Sequence, residues 1–186
     1  MTYRPEKAAQ TIAYFAIREG GSISVLKAIK LLYLADRESI RVRGHPIQDE
    51  SRFSLPYGPV NSTTLDHLNG AYKENRAVWN AILADRANNN VGLTNGGLRQ
   101  EDLDFLSIRE LEILETVWQL VGNLDRFDLA DWTHDPENVP EWENPNGSNR
   151  KIPLERVMAA VGLSRSIERA KEQNSLRQAQ GILDSL

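Results

Sequence analysis

The residues of this 186-residue chain best suited to chemistry are His134, Asp135, Glu137, Glu141 and Glu143. An imidazole among carboxylates can ligate a divalent ion or exchange protons as acid and base. The spacing argues for neither. From His134 to Pro153 there is one histidine, and within that segment no second His or Asp stands three or four residues from it, as a helical ligand pair would. The same segment holds four prolines and several Asn and Gly, and such a loop needs polar residues to stay solvated. The expected role is therefore structural or recognition, with a hydrolase site around His134 as the alternative from a different class. His45 and His67 stand alone in polar contexts and are expected at the surface. No nucleophile elbow, dinucleotide fingerprint, Walker loop or His-Glu-x-x-His motif occurs. With no cysteine, disulfides, thiolate zinc sites and cysteine nucleophiles are excluded. No catalytic residue, metal ligand or cofactor is assigned, and the expectation is a protein that is not an enzyme.

A second set of residues suits recognition. In Tyr57-Gly58-Pro59-Val60 the glycine permits an unusual backbone angle and the proline fixes the next, which holds Tyr57 and Val60 at a corner. Trp132, His134 and Trp142 crowd amphipathic rings into one loop, where aromatic side chains often anchor partners.

Helices must position these residues. Ala8, Ile12, Phe15 and Ala16 recur at helical spacing before Gly20-Gly21. Ser24 is placed to cap a second helix running to about Val42, apolar nearly all round its middle and so expected at the centre, with Asp36-Arg37 as an ion pair or solvated flank. Phe53, Leu55 and Tyr57 alternate as a short strand that Pro56 confines to an edge. Gly58-Pro59 reads as a turn into a third helix ending near Gly70, and Val91-Gly92-Leu93 with Leu98 as one small hairpin. Ser107 and Glu110 form a capping box for a fourth helix with Ile108, Leu111, Leu114, Trp118 and Val121 on its inner face. Asp128 is placed to cap a brief helix through Trp132, and Pro153 to open another through Val161. Arg165 to Leu186 reads as a helix with no clean apolar stripe. The fold class is mainly α, a compact helical domain around a central apolar helix with at most one small β-hairpin. Residues 1–162 form the domain and 163–186 a C-terminal helical extension.

Lys and Arg total 22 against 26 Asp and Glu, a formal charge of −4, which gives no global attraction to phosphate backbones. A helix-turn-helix across Gly20-Gly21 would need a polar, basic recognition helix, and the second helix is apolar. Nucleic acid is therefore disfavoured as a partner. Charges at Arg4, Glu6, Lys7 and Arg18 interrupt the N-terminal apolar residues, and no run approaches the roughly 20 residues that span a bilayer. The expected location is the cytoplasm, away from membranes.

Three segments together resemble one family: Leu31-Leu32-Tyr33-Leu34-Ala35-Asp36-Arg37, Tyr57-Gly58-Pro59-Val60, and Asp131-Trp132-Thr133-His134 with Pro140-Glu141-Trp142. In order and spacing they are similar to the Panacea domain of SocA-like antitoxins, over about residues 5–162. The resemblance implies a helical antitoxin of bacterial, phage or prophage toxin-antitoxin pairs. It also implies neutralisation of a cognate toxin, encoded by the adjacent gene, through direct protein contact. One branch of the family instead hands its toxin to a Clp-type protease as an adaptor. The family carries no accepted catalytic residues, so none transfers. The toxin-binding candidates are Tyr57, Val60, His134, Trp142 and, on the last helix, Arg165, Arg169 and Arg177, where homo-oligomer contacts are also expected.

Overall fold

A computed structural model describes residues 3–72 and 75–183. In chain order the elements are α1 (Pro5–Arg18), β1 (Ser22–Ser24), α2 (Val25–Arg43), β2 (Arg52–Leu55), β3 (Gly58–Asn61), α3 (Ser62–Leu68), α4 (Arg76–Asn80) and β4 (Asn90–Gly92). A 3₁₀ turn at Gln100–Asp102 leads to α5 (Ile108–Val121), α6 (Arg126–His134), β5 (Arg150–Ile152), α7 (Leu154–Ala160) and α8 (Ser166–Leu183). The chain is mainly helical. As its apolar circumference requires, α2 is the hub, packed against α1, α5, α6, α7 and β3. Every residue from Lys27 to Asp36 is buried, including the polar members Lys27, Lys30 and Asp36. Gly44 ends the helix in the left-handed region (φ 78°), its N–H donating to Ile40 O.

Two small sheets replace the single hairpin expected. β1 and β4 pair antiparallel with Ile23 opposite Val91. The partner of the Val91 segment is thus a distant strand rather than Leu98. The second sheet has the order β3-β2-β5. Its hairpin turns at Pro56-Tyr57, and Gly58-Pro59 belongs to β3, opposite Leu55 and Ser54. Pro56 therefore lies outside the ladder and β2 is the middle strand, while the proline within the sheet, Pro59, sits on an edge strand, where a missing N–H is tolerated.

The capping box at α5 is present: Ser107 Oγ accepts from Glu110 N, and Glu110 Oε2 accepts from Ser107 N at 2.9 Å. The buried face is rotated from the expected one, through Ile113, Leu114, Val117 and Val121, and Ile108 is 77% exposed. Glu110 faces inward because Lys7 and Arg43 reach it from α1 and α2. Asp125, not Asp128, caps α6, its carboxylate accepting from Phe127 N and Asp128 N. His67 is buried rather than exposed, stacked against Tyr3, Tyr72 and Trp79. α8 packs on α7, burying Ala170 and exposing Ile167, Leu176 and Leu183.

Candidate protein-binding groove

Asp36 leaves α2 pointing into the interior, so its charge must be met there. Its Oδ1 accepts from the backbone N–H groups of Ile47 (2.9 Å) and Gln48 (2.8 Å), and its Oδ2 from Arg52 Nη2 (3.0 Å) and Asn61 Nδ2 (2.7 Å). Beside it Glu50 accepts from Thr64 N (2.8 Å) and Thr64 Oγ1 (2.5 Å). Burial pushes Glu50 up to about 7 and raises Asp36 above its ordinary value, although Arg52 opposes the rise at Asp36. Asp36 is thus neither a solvated flank nor paired with Arg37. It is the pin that holds α2, the loop before β2, the hairpin and the start of α3 in one register.

A second pin joins the loop after α6 to the same helix. Tyr33 Oη donates to Glu141 Oε1 at 2.9 Å, and Arg37 Nε donates to the same oxygen at 2.8 Å. Burial, reinforced by Glu141, drives the Tyr33 phenol well above its ordinary value, so it stays the donor. Trp142 Nε1 donates to Leu55 O (3.2 Å), and Glu143 N donates to Ser54 Oγ (3.2 Å). The His134 ring lies 4.5 Å from Trp142, and its Nδ1 is 3.9 Å from Asp131 Oδ1, a carboxylate three residues upstream that the sequence reading passed over. Burial, then the nearby Lys30 ammonium, lower the His134 pKa. The remaining acids of this segment diverge: Asp135 accepts from Glu137 N (2.8 Å), and Glu143 pairs with Arg150 and Arg156. Among the described residues no three His, Asp or Glu are grouped to hold a metal.

Lys30 is 0% exposed, and its ammonium donates to Pro59 O at 2.8 Å. Burial lowers its pKa to about 7. Gly58, at φ 99°, makes this approach feasible, because a Cβ there would stand 2.8 Å from Lys30 Nζ and 2.6 Å from Thr133 Oγ1. The Gly-Pro pair therefore serves to seat the hairpin on α2 and α6.

Between that hairpin and α2 lies an open, mainly apolar groove of about 500 Å³. One wall is the first half of α2, with Val25, Leu26 and Ile29. Leu55, Tyr57 and Val60 from the hairpin, Leu65 from α3 and Phe127 from α6 also line it. Tyr57 is 68% and Phe127 55% exposed. Val60, 4% exposed, forms part of the floor. Arg86 and Arg126 stand at the rim.

The structure thus brings Tyr57 and Val60 together in the groove and places the stacked pair His134 and Trp142 outside its lining. Arg165, Arg169 and Arg177 are exposed and far along the chain on the α8 side, where Arg177 Nε lies 3.7 Å from Asp49 and Arg169 approaches Gly44. Sequence reading missed Leu26, Arg126 and Phe127. A signal existed for Phe127: it is a large apolar residue two positions after the helix-capping Asp125, in the first turn and two residues before the inward-facing Leu129.

Neither the search of curated proteins nor that of solved structures gives a match. The family described as antitoxin SocA-like, Panacea domain, matches residues 29–143, well over half of the chain. The match runs from Ile29, near the start of α2, to Glu143, so it contains both buried pins, the whole hairpin and Phe127. The chain belongs to the SocA-like antitoxin family and carries its Panacea domain.

Proposed function

We propose that this protein is an antitoxin that neutralises its cognate toxin by direct binding, with the groove between α2, the β2–β3 hairpin and α6 as the docking surface. The observation that carries the reading is the exposure of Tyr57 and Phe127, both within the family-matched region, in the lining of an apolar groove. Large aromatic side chains held rigidly at the edge of an apolar depression are the features from which interface hot spots are built. Binding by occlusion needs no chemistry of its own, and the divergence of the acids around His134 lends no support to a hydrolase there.

The test is growth of cells expressing the product of the adjacent gene, with and without this protein, followed by copurification. Rescue with a stable complex is the expected result. Rescue accompanied by loss of the partner identifies delivery to a Clp-type protease instead. Absence of toxicity or of rescue contradicts the antitoxin reading.

A further inference from the structure

Charge is distributed unevenly around the groove. The chain carries a net −4, yet the groove is lined by Lys30, Arg86 and Arg126 and by no Asp or Glu among the described residues. The two rim arginines meet no carboxylate at ion-pair distance among those residues. Arg86 donates to the side-chain oxygens of Asn69 and Asn89, which are neutral, and Arg126 lies over the Phe127 ring at 4.7 Å. Lys30 has three donors and a single hydrogen-bond partner, Pro59 O. Some exposed cations elsewhere are matched, Arg41 by Glu38, Arg76 by Asp85, Arg99 by Glu101 and Arg150 by Glu143, while others such as Arg109 and Lys151 meet no carboxylate at ion-pair distance among the described residues. The groove is thus an apolar trough with two exposed arginines at its rim and no carboxylate in its lining, on a protein of opposite net sign.

We infer that the groove takes an amphipathic segment of the toxin whose apolar side chains are flanked by carboxylates, the acids meeting Arg86 and Arg126 while the apolar side chains fill the trough. The inference rests on the direct-binding reading and adds the chemistry of the partner. Apolar side chains entering between Leu26, Val60 and Phe127 supply affinity, and the framing cations supply orientation and discrimination. A partner segment flanked by lysine would bring like charges against the arginines with no acid in the groove to relieve them.

The test uses the full chain and two labelled amphipathic peptides of about 16 residues with leucines at helical one-face spacing, one flanked by Glu and one by Lys. Anisotropy at low salt is expected to show the Glu-flanked peptide binding about tenfold or more tightly. That preference should shrink as salt is added and invert in Arg86→Glu/Arg126→Glu. Equal binding of the two peptides, binding of neither, or displacement of the Glu-flanked peptide by duplex DNA overturns the inference. Toxin rescue separates it from the reading beneath it. Rescue lost on Phe127→Asp but retained in the arginine double variant overturns the acidic-segment inference and leaves the groove standing, whereas rescue by both variants removes the groove itself.

Discussion

Gly58 shows how one residue serves the whole site. At φ 99° it occupies backbone space that side chains rarely enter, and the position of its missing Cβ is crowded by Thr133 and Lys30. Gly58→Ala is expected to cost about 2–4 kcal/mol in chemical denaturation. Gly70→Ala, also at positive φ but with open space around it, should cost only about 1–2 kcal/mol. Equal losses at the two positions would show that backbone angle alone, and not the seat on Lys30, requires glycine at 58. The buried acid beside this region makes a second prediction. Glu50 is raised from 4.5 to about 7, so between those values the folded state keeps a proton that the unfolded chain has released, and stability falls as pH rises. Lys30 is lowered from 10.5 to about 7, so above neutrality the unfolded chain holds the extra proton and stability rises with pH. Thermal melts should therefore show a decline from about pH 5 to about pH 7 that Glu50→Gln flattens by a few degrees. An unchanged slope in that variant would assign the decline to other groups. At this scale the sequence marked the right residues with the wrong work. Tyr33, Asp36, Gly58 and Glu141 stood out as family motifs, and the structure shows them as internal pins. Their partners lie up to 108 residues away in the chain, and no local spacing reveals that.

Elements whose formation depends on neighbouring residues were legible: α1 from its period and closing glycines, α2 from its apolar circumference, α5 from its reciprocal cap. The sheets were not. Strands of three or four residues carry too little alternation to declare a partner, and β1–β4 and β2–β5 pair segments that are distant in sequence. The rotation of α5 has the same origin, since Glu110 is drawn inward by Lys7 and Arg43 from two other helices. Burial raises Glu110, but the Ser107 N–H and the Lys7 ammonium together outweigh it and bring its pKa down to about 2. α8 is the element that contributes least to the core. Beyond Ala170 none of its described side chains is buried, and it holds to the body through its packing on α7 and the Arg177–Asp49 pair. Such an exposed pair contributes about 0–1 kcal/mol. Truncation after Lys171 is expected to move the melting temperature by no more than about 2 °C and to leave toxin affinity intact. A loss of the complex on truncation would transfer the interface to Arg177 and its neighbours.

For the molecule as a whole, the architecture separates holding from binding. The two pins, one centred on Asp36 and one on Glu141, lock α2, the hairpin and the loop after α6 into a rigid frame. The groove between α2, the hairpin and α6 is left open and mainly apolar, with the exposed Arg86 and Arg126 in its lining. No described helix is long and apolar enough to cross a membrane. A scaffold fixed from within can vary its outer groove residues without disturbing the fold. Net charge, one of the two arguments against nucleic acid, could not show that two exposed arginines, Arg86 and Arg126, gather at one groove.

The most direct test of the groove as the toxin-binding surface is titration calorimetry of the purified protein with the product of the adjacent gene, comparing the natural sequence with Tyr57→Ala/Phe127→Ala. Both side chains are exposed, so the melting temperature should hold while the affinity falls at least about tenfold, or about 1.4 kcal/mol. Undiminished affinity in the double variant would contradict the account.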